Sequence, residues 1–357
     1  PTLDGSSVYL TTTDRAAAQK RLASGEPILR AYTKNTPYSG LPSTTNLYVG
    51  DYAASNSMDE LAQQAAGVRR IAVCRMDVDN LGHAFISGFE QENEKDPVRR
   101  MRYVNLSRTS AFSRQMSLFF KGYINGILDG LQVSIVYAGG DDVFLVGAWN
   151  DVLEAAQRIQ RNLTAFSCGA LTLSAGIGIF DPHYRLSAEE TAALEEAAKH
   201  LPGKNAVALF TPERKAVRDA KGNLLVQPEQ GHTYAWDTFR TKVLEEKVGC
   251  LQRFFQAYDR SCADKGETPR GNSMLYNLLA LLREAENDRI NLARYAYLLA
   301  RLSPEKNAPD YPLYEQFSHS MMDDWAFDAV QRHQLITAIY IYVYQNRKGG
   351  DTDGRME

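Results

Sequence analysis

The sequence predicts an α+β fold, with a ferredoxin-like domain followed by an all-α helical bundle domain. Three observations favour this class. Strand-like and helical segments alternate regularly from Val68 onward, and two apolar strands are joined by the acidic turn "GGDD". Beyond residue 212, apolar residues recur at three- and four-residue spacing in almost every segment. The first two observations indicate a mixed sheet, and the third indicates helices packed on one another.

The ferredoxin-like domain is assigned to residues 67–212 from the order of its segments. A strand in "RRIAVCRMDV" precedes a long helical stretch from about Val98 to Leu128, and the strand pair "QVSIVYA" and "VFLVGAW" follows. A helix from about Asn150 to Ala165 comes next. The strand "LTLSAGIGIF", the helix "SAEETAALEEAAKH" and the strand "AVALF" complete the domain. This order is the ferredoxin-like alternation with one extra unit.

The flanking segments have different patterns. Residues 1–66 mix short strand-like runs ("SVYLTTT", "PILRAY", "NLYVGD") with turn-rich pieces, and we interpret them as a lead-in packed on the ferredoxin-like domain. Residues 213–357 begin with a polar, hairpin-like connector and continue as a helical domain of roughly four or five helices. The segment ends in the polar tail "RKGGDTDGRME".

Composition narrows the class of protein. The 357 residues are 44% hydrophobic and 23% charged, which is typical of a globular chain long enough for two cores. The net charge of -3 gives no global basic field, and the four cysteines form no C-x-x-C pair. No apolar run reaches the about 20 residues that span a bilayer. We expect a cytoplasmic protein without a membrane partner and, because the chain opens on Pro1, a piece of a longer polypeptide.

Three acids are the strongest functional signal. In a ferredoxin-like sheet the first and third strands are antiparallel neighbours, so Asp77 at the end of one lies beside Asp141 and Asp142 at the start of the other. Unpaired carboxylates at one place repel one another, and a divalent metal resolves this. Oxygen ligands with open water positions suit Mg²⁺ or Mn²⁺ bridging to nucleotide phosphates. Asp79 shares the face of Asp77 by strand alternation, but it fits a cap of the following turn equally well.

The glycines of the turn have expected roles of their own. Gly139 and Gly140 are expected to adopt positive φ in a tight primed hairpin and to leave room for a phosphate or a base. A plain surface hairpin explains the same dipeptides about equally well. The second acidic strand end, at Asp77, favours metal chemistry over that alternative.

Two further residues fit a nucleotide site. Lys204 stands beside a glycine turn before the final strand, where its ammonium would reach a triphosphate, although a solvated surface lysine is the commoner case. Ser113 on the long helical stretch would hydrogen-bond a base, although serines on helices are often only tolerated. Phe119 and Phe120 are expected in the core rather than as a stacking platform.

Six segments together resemble one known family: "GVRRIAVCRMDVDNLG", "SRQMSLFF", "YAGGDDVFLVG", "LSAGIGIF", "GKNAVALF" and "INLARYAYLLARL". They are similar to the large, Cas-ten-type subunit of type III CRISPR effector complexes, most closely its Csm form. The resemblance covers roughly residues 55–345. "GGDD" alone is a weak motif, but its spacing from "DVDNLG" and "GKN" is specific.

The resemblance implies a polymerase- or cyclase-like palm followed by a helical C-terminal domain. The palm joins ATP into cyclic oligoadenylates when the complex holds a foreign transcript. The implied catalytic and metal-binding residues are Asp77, Asp141 and Asp142. The implied nucleotide-binding residues are Gly139, Gly140, Ser113 for adenine and Lys204 for phosphate. The implied cofactor is Mg²⁺ or Mn²⁺ with ATP as substrate, and the implied partners are the other subunits of the complex, guide RNA and target RNA.

The sequence also departs from that family. Its full-length subunit usually has an HD nuclease domain, a first palm and a zinc insertion, and none of these is found in this sequence, which contains no His-Asp dipeptide. We therefore expect no nuclease activity on single-stranded DNA from this piece. A nucleotide site shared between two palms is expected to need the missing palm and the assembled complex.

Two other functions are compatible with the motifs. A diguanylate cyclase carries GGDEF in the same hairpin, but Asp142 and Val143 replace its last two residues, and Phe85 stands where that family has a guanine-reading asparagine. A structural subunit with vestigial acids is the other alternative. The mechanism expected for the first function is metal-assisted attack of one ATP 3′-hydroxyl on the α-phosphate of a second ATP, without a protein nucleophile.

Overall fold

The computed structural model describes residues 13–25, 28–36, 40, 44–185, 187–210, 214–218, 224–228, 231–266, 272–285 and 288–347. The predicted strand "SVYLTTT" lies outside these residues except for its last position, and so does the polar tail beyond Arg347.

The lead-in forms a few short elements and then bonds to an edge strand of the main sheet. Its elements are α1 (Arg15–Ala23), β1 (Ala31–Lys34), β2 (Thr44–Leu47) and α2 (Met58–Gln63). β1 and β2 pair in parallel as a separate two-stranded sheet. The segment after them is fixed by Tyr52, whose carbonyl accepts from Ile135 N at 2.8 Å and whose hydroxyl donates to Leu131 O at 2.9 Å. Leu61 and Ala62 of α2 are buried against the sheet.

The ferredoxin-like domain alternates strands and helices as predicted. Its elements are β3 (Ile71–Val78), α3 (Leu81–Ser87), α4 (Pro97–Arg100), α5 (Leu106–Leu118), α6 (Ile124–Ile127), β4 (Val133–Ala138), β5 (Asp142–Ala148), α7 (Trp149–Phe166), β6 (Leu173–Phe180), α8 (Ser187–His200) and β7 (Ala206–Leu209). The sheet contains the order β6-β3-β5-β4, with every pair antiparallel. This is the ferredoxin-like order, so the fold prediction is confirmed.

Two further strands extend this sheet to six. β7 is the predicted extra unit and pairs in parallel with β6. After the hairpin of β8 (Arg214–Arg218) and β9 (Leu224–Pro228), β10 (His232–Ala235) returns and pairs antiparallel with β7. The sequence did not predict β10, which belongs to the segment assigned to the helical domain.

The single long helix predicted from Val98 to Leu128 is wrong. The chain forms α4, then a loop, then α5, a π-helical turn at Phe119–Tyr123 and α6. The break before α5 has a local cause, because the Asn105 side chain accepts a hydrogen bond from Arg108 N at 3.0 Å and begins a new helix there.

Both faces of the sheet are covered. α7 packs on the face that carries Cys74 and Met76, where its buried residues recur at three- and four-residue spacing. α8 lies on the opposite face, which carries Arg75 and Asp77. Gly176 of β6 allows this close approach, because a Cβ there would clash with Glu195 N. The face under α8 is the one that bears charged side chains.

The helical region packs against the sheet through its last helix. Its elements are α9 (Trp236–Thr238), a π-helical segment (Phe239–Val248), α10 (Gly249–Lys265), α11 (Asn272–Glu284), α12 (Ile290–Ala300), α13 (Tyr311–His319), a second π-helical segment (Ser320–Asp324) and α14 (Ala329–Asn346). α14 is buried along most of its length, and Tyr344 O accepts from Val68 N at 2.9 Å. None of the described helices combines the length and apolarity required to cross a membrane.

Candidate functional site

The three predicted acids meet at one end of the central strand pair. β3 and β5 are antiparallel, and Asp77 is directly opposite Asp142 in their register. Asp141 immediately precedes β5, and its carbonyl oxygen accepts a hydrogen bond from Val78 N at 3.2 Å. The fold therefore gathers Asp77, Asp141 and Asp142 at one end of the sheet, which we call the acidic end.

The turn that joins β4 to β5 differs from the predicted one. Neither Gly139 nor Gly140 has a positive φ, so the expected primed hairpin is wrong. A Cβ at Gly139 would clash with Asp142 Oδ1 and lie 2.5 Å from Tyr137 Oη, so the ends of these two side chains would have to shift. A Cβ on Gly140 would meet no atom within 4 Å. Open space for an approaching ligand is therefore found at Gly140, whereas Gly139 gives room to two neighbouring side chains.

Tyr137 reaches the acidic end beside a β-bulge. The register of β4 against β5 shifts between Ile135 and Tyr137, and such bulges re-aim side chains next to sites. The Tyr137 hydroxyl donates a hydrogen bond to Asp142. The negative charge of Asp142 raises the pKa of Tyr137, so the hydroxyl keeps its proton at neutral pH. Sequence reasoning missed this residue, although it stands two positions before Gly139.

The acids of this end repel one another. Partial burial, and then the charges of Asp77 and Asp142, raise the pKa of Asp141 above its ordinary value of 3.8, against the opposing charge of Lys199. Crowding of like charges costs free energy until a cation balances it. The acidic end therefore holds more negative charge than its own residues neutralise.

Lys199 on α8, which sequence reasoning also missed, supplies part of the balance. Its Nζ lies 2.7 Å from Asp77 Oδ2 and 2.6 Å from Glu195 Oε1. Glu195 is only 8% exposed and also pairs with Arg75, whose Nε is 3.2 Å from Glu195 Oε2. Partial burial alone would lower the pKa of Lys199, but hydrogen bonds and charges from Asp77 and Glu195 raise it. The ammonium therefore stays charged.

Asp79 is a structural acid and not a member of the acidic end. It is 5% exposed, and its carboxylate accepts hydrogen bonds from Thr172 Oγ1 at 2.8 Å, Ser174 Oγ at 2.8 Å and Asn205 N at 3.0 Å. These bonds fasten the end of β3 to β6 and to the turn before β7. Asp79 does not cap α3, which has no side-chain cap.

Lys204 lies near the acidic end and contacts a neutral side chain. Its Nζ donates to Asn80 Oδ1 at 2.7 Å. Gly203, Lys204 and Asn205 have φ values of 88°, 52° and 48°, so the backbone makes a left-handed turn at this point. The turn brings Lys204 to the segment that directly follows β3, and its role toward phosphate stays a prediction.

Ser113 is exposed on α5, and its hydroxyl makes no hydrogen bond within the described part of the chain. The adenine contact expected for it stays a prediction. Phe119 and Phe120 are 2% and 0% exposed, which confirms that they belong to the core.

The acidic end has the donor chemistry of a divalent metal site. Carboxylate oxygens are the ligands that Mg²⁺ and Mn²⁺ prefer, and the raised pKa of Asp141 reflects an unbalanced charge. Over the residues that the structure covers, no group of three or more His, Cys, Asp or Glu side chains already has the spacing of a metal site, and Asp77 is paired with Lys199. The residues thus fit a divalent cation in donor type and in charge.

Two families of domains match the chain in succession. "Cas10/Cmr2, second palm domain" matches residues 70–208, which contain the sheet and the acidic end. "CRISPR RNA silencing complex Cmr2 subunit, second helical domain" matches residues 252–348, which contain α11 to α14.

Curated relatives align with nearly all of the chain. The "CRISPR system single-strand-specific deoxyribonuclease Cas10/Csm1 (subtype III-A)" of Mycobacterium tuberculosis is 38% identical over 95% of this chain and 39% of its own length. The protein of the same name from Enterococcus italicus is 36% identical over 95% of this chain and 40% of its own length. The chain therefore spans about two fifths of the length of these relatives.

Solved structures share the fold. Csm1 of T. onnurineus has a TM-score of 0.59 at 24% identity, over 89% of this chain and 44% of that one. The Csm1-Csm4 cassette in complex with cA4 has a TM-score of 0.57 at 24% identity, over 88% of this chain and 43% of that one. Since the two domain families occur in order, and these relatives align with 95% of the chain, the chain belongs to the Cas10/Csm1 family of type III-A CRISPR systems.

Proposed function

We propose that the chain supplies the catalytic acids of a metal-dependent nucleotidyltransferase, which joins ATP into cyclic oligoadenylate second messengers as part of a type III CRISPR effector complex. The observation that carries this proposal is the meeting of Asp77, Asp141 and Asp142 at one open end of the sheet. The charges of Asp77 and Asp142 help to raise the pKa of Asp141 at an accessible site, and this arrangement suits a cation.

The proposed division of roles follows from charge and space. Asp77, Asp141 and Asp142 would hold Mg²⁺ or Mn²⁺, which would activate the attacking 3′-hydroxyl of ATP and neutralise the departing pyrophosphate. The ammonium groups of Lys199 and Lys204 add positive charge for the triphosphate oxygens. Gly140 leaves space beside the acids for a phosphate. Alignment and charge then account for the rate, and no protein nucleophile is required.

ATP is favoured as the substrate by proteins that share this fold. Csm1-Csm4 cassettes have been solved in complex with one ATP, with cA3 and with cA4. Ser113 is the proposed adenine contact, as the family resemblance implies. Guanine is disfavoured, because Phe85 replaces the asparagine of diguanylate cyclases.

The proposal places the chain in a larger assembly in the cytoplasm. A second ATP must be held so that its α-phosphate is aligned with the attacking hydroxyl, and we assign that task to a second palm outside these residues. The remaining proposed partners are the other subunits of the complex, guide RNA and target RNA. A Csm1-Csm4 subcomplex of the type III-A interference complex has a related fold, which supports this assignment.

The test compares the chain alone with the chain in its purified, RNA-loaded complex. Each is incubated with Mn²⁺ and either ATP or GTP, and the products are identified by mass spectrometry. We expect cyclic oligoadenylates from the complex with ATP, and little or none from the chain alone. Cyclic products from GTP alone would favour a diguanylate cyclase, and no product from either sample would favour a scaffold with vestigial acids.

A further inference from the structure

A ladder of alternating charges runs away from the acidic end along the face between β3 and α8. Asp77 pairs with Lys199, Lys199 pairs with Glu195, and Glu195 pairs with Arg75. Arg75 and Asp77 are two residues apart on β3 and therefore share a face, whereas Glu195 and Lys199 are four residues apart on α8. A strand and a helix thus contribute alternate members of one ladder.

The four members differ in their access to solvent. The side chain of Glu195 is 11% exposed, whereas those of Lys199 and Asp77 are 28% and 26% exposed, and that of Arg75 is 41% exposed. Glu195 is therefore the enclosed member, and each of its carboxylate oxygens has one cationic partner. An enclosed carboxylate with two cationic partners is held in its position.

Lys199 is shared almost equally between two carboxylates. Its Nζ is 2.7 Å from Asp77 Oδ2 and 2.6 Å from Glu195 Oε1. A cation that takes Asp77 Oδ2 as a ligand must replace the ammonium at that oxygen. Glu195 already lies within ion-pair distance of the ammonium. Lys199 therefore keeps a carboxylate partner when Asp77 is released, and the half-buried lysine is not left unpaired.

We propose that Glu195 is a positioning residue that receives Lys199 when Asp77 turns to the divalent cation. This inference rests on the metal role of Asp77 in the proposed function and deepens it. Glu195 touches neither the cation nor the nucleotide, and it acts through Lys199. Arg75 supports it by balancing the charge that Glu195 carries before and after the exchange.

If Glu195 acts through Lys199, the effect of Glu195→Gln on Mn²⁺ binding should depend on whether Lys199 is present. Among the residues that the structure describes, Glu195→Gln leaves Asp77 as the one carboxylate in direct contact with Lys199, so the ammonium competes more strongly with the cation. We expect binding of Mn²⁺ to weaken about fivefold. Lys199→Met removes the competitor and should strengthen Mn²⁺ binding by a similar factor. When Lys199→Met is present, adding Glu195→Gln should change the affinity for Mn²⁺ by less than about twofold, because Glu195 acts only through the lysine that has been removed.

The experiment measures free and bound Mn²⁺ by electron paramagnetic resonance on the 357-residue chain without ATP. The four samples are wild type, Glu195→Gln, Lys199→Met and the double variant. Glu196→Gln is the matched control, since it removes the same charge from the next position of α8, where the side chain is 71% exposed and lies beside His200. Circular dichroism establishes that each variant is folded. If Glu195→Gln alone is destabilised, the variants that carry Lys199→Met keep the test informative.

The outcomes separate this inference from the function on which it rests. The positioning role is supported if Glu195→Gln weakens Mn²⁺ binding in the wild-type background and has no such effect when Lys199→Met is also present. Wild-type binding in Glu195→Gln, or an equal loss in both backgrounds, overturns it and leaves the metal site standing, because Glu195 would then act as a distant charge or not at all. Absence of Mn²⁺ binding in the wild type overturns both the metal site and the exchange.

Discussion

Two lysines of this chain lie in clusters that contain carboxylates, and the clusters are built in opposite ways. Lys247 in the helical region has a fully buried side chain. Its ammonium donates to Gln331 Oε1 at 2.7 Å, to Gln334 Oε1 at 3.0 Å and to Glu246 Oε1 at 3.1 Å. One carboxylate and two neutral acceptors therefore satisfy one cation.

Lys199 has the reverse surroundings. Its side chain is partly exposed, its direct partners are the carboxylates of Asp77 and Glu195, and two more acids lie at the same end of the sheet. The pKa shifts have opposite signs: burial lowers the pKa of Lys247, whereas carboxylates raise that of Lys199 despite partial burial. A balanced, enclosed cluster stabilises the fold, and an unbalanced, open cluster is arranged to take up a ligand.

Removal of acids from the open cluster is the sharpest test of this difference. We expect Asp141→Ala with Asp142→Ala to reduce ATP-dependent product from the complex by about a thousandfold, because the cation loses two of its three proposed ligands. The free energy of unfolding should change by less than about 1 kcal/mol, since these acids repel one another in the folded state. Mass spectrometry of products and chemical denaturation measure the two quantities.

The control for this double variant is Asp129→Ala. Asp129 is an exposed acid just before β4, at the opposite end of the strands from the acidic end, and its replacement should change neither activity nor stability. Full activity in the Asp141 and Asp142 double variant would contradict the metal-site proposal, whereas a large loss of stability would contradict the distinction between the clusters.

The enclosed cluster should respond in the opposite manner. Lys247→Met leaves the buried Gln334 oxygen, the partly buried Gln331 oxygen and Glu246 without their shared donor, and we expect it to lower the free energy of unfolding by about 2–3 kcal/mol. Activity per folded molecule should not change, because the cluster contributes no group to the acidic end. Urea denaturation and product analysis at a temperature where both proteins are folded test the two statements.

Lys242→Met is the matched control for Lys247→Met. Lys242 pairs with the same carboxylate, Glu246, at 2.8 Å, but its side chain is 51% exposed. Water replaces an exposed partner, so we expect no measurable change in stability. An equal loss of unfolding free energy in the two variants would show that the burial of Lys247 does not increase its contribution to stability.

The sequence predicted the open cluster better than the enclosed one, and the reason is topological. The ferredoxin-like order makes the first and third strands antiparallel neighbours, so the pairing of Asp77 with Asp142 follows from strand order alone. Contacts of Lys199 depend on the rotation of α8 over the sheet, which strand order does not determine. Glu195 and Lys199 at four-residue spacing were the available signal, but this spacing also describes an ordinary surface ion pair.

Local backbone geometry was also beyond the sequence pattern. The dipeptide at Gly139 and Gly140 is typical of a primed turn, yet the room needed at Gly139 is set by two side chains that a bulge in β4 brings together. Lys247 gave no signal, because a lysine among apolar residues on a helix is usually exposed. Its burial follows from the packing of α14 against the π-helical segment Phe239–Val248, and the periodicity of apolar residues does not predict this packing.

The two glycines offer a smaller test within the open cluster. Gly139→Ala places a methyl group against the Asp142 carboxylate and the Tyr137 hydroxyl, so we expect about a tenfold loss of activity from the displaced ligand. Gly140→Ala is the comparison variant, because its methyl group meets no protein atom and leaves Asp142 in place, so Mn²⁺ binding should remain within about twofold even though the methyl group enters the space proposed for phosphate. Product formation by the complex measures the effect of Gly139→Ala, Mn²⁺ binding compares the two variants, and equal losses of Mn²⁺ binding would contradict the positional argument.

The smallest expected effect concerns pH and the enclosed cluster. Burial alone would raise the pKa of Glu246, but hydrogen bonds and charges from Lys242 and Lys247 outweigh it and lower the pKa below its ordinary value of 4.5. A carboxyl group with a lowered pKa stabilises the folded state fully above the unfolded-state pKa, and this contribution is lost as the pH falls through the folded-state value. The wild type should therefore lose stability on acidification below about pH 4.5 partly through this group.

Glu246→Gln isolates that contribution. The variant should melt a few degrees below the wild type at neutral pH, and the gap between their melting temperatures should narrow as the pH falls below about 4.5, where the wild type loses the charge that the variant never had. Glu245→Gln, at the exposed neighbouring position, should keep the wild-type profile throughout. A constant gap at every pH would mean that Glu246 acts through its hydrogen bond from Trp325 Nε1 and not through its charge, and the enclosed cluster would then be held by polar packing in place of a balanced ion pair.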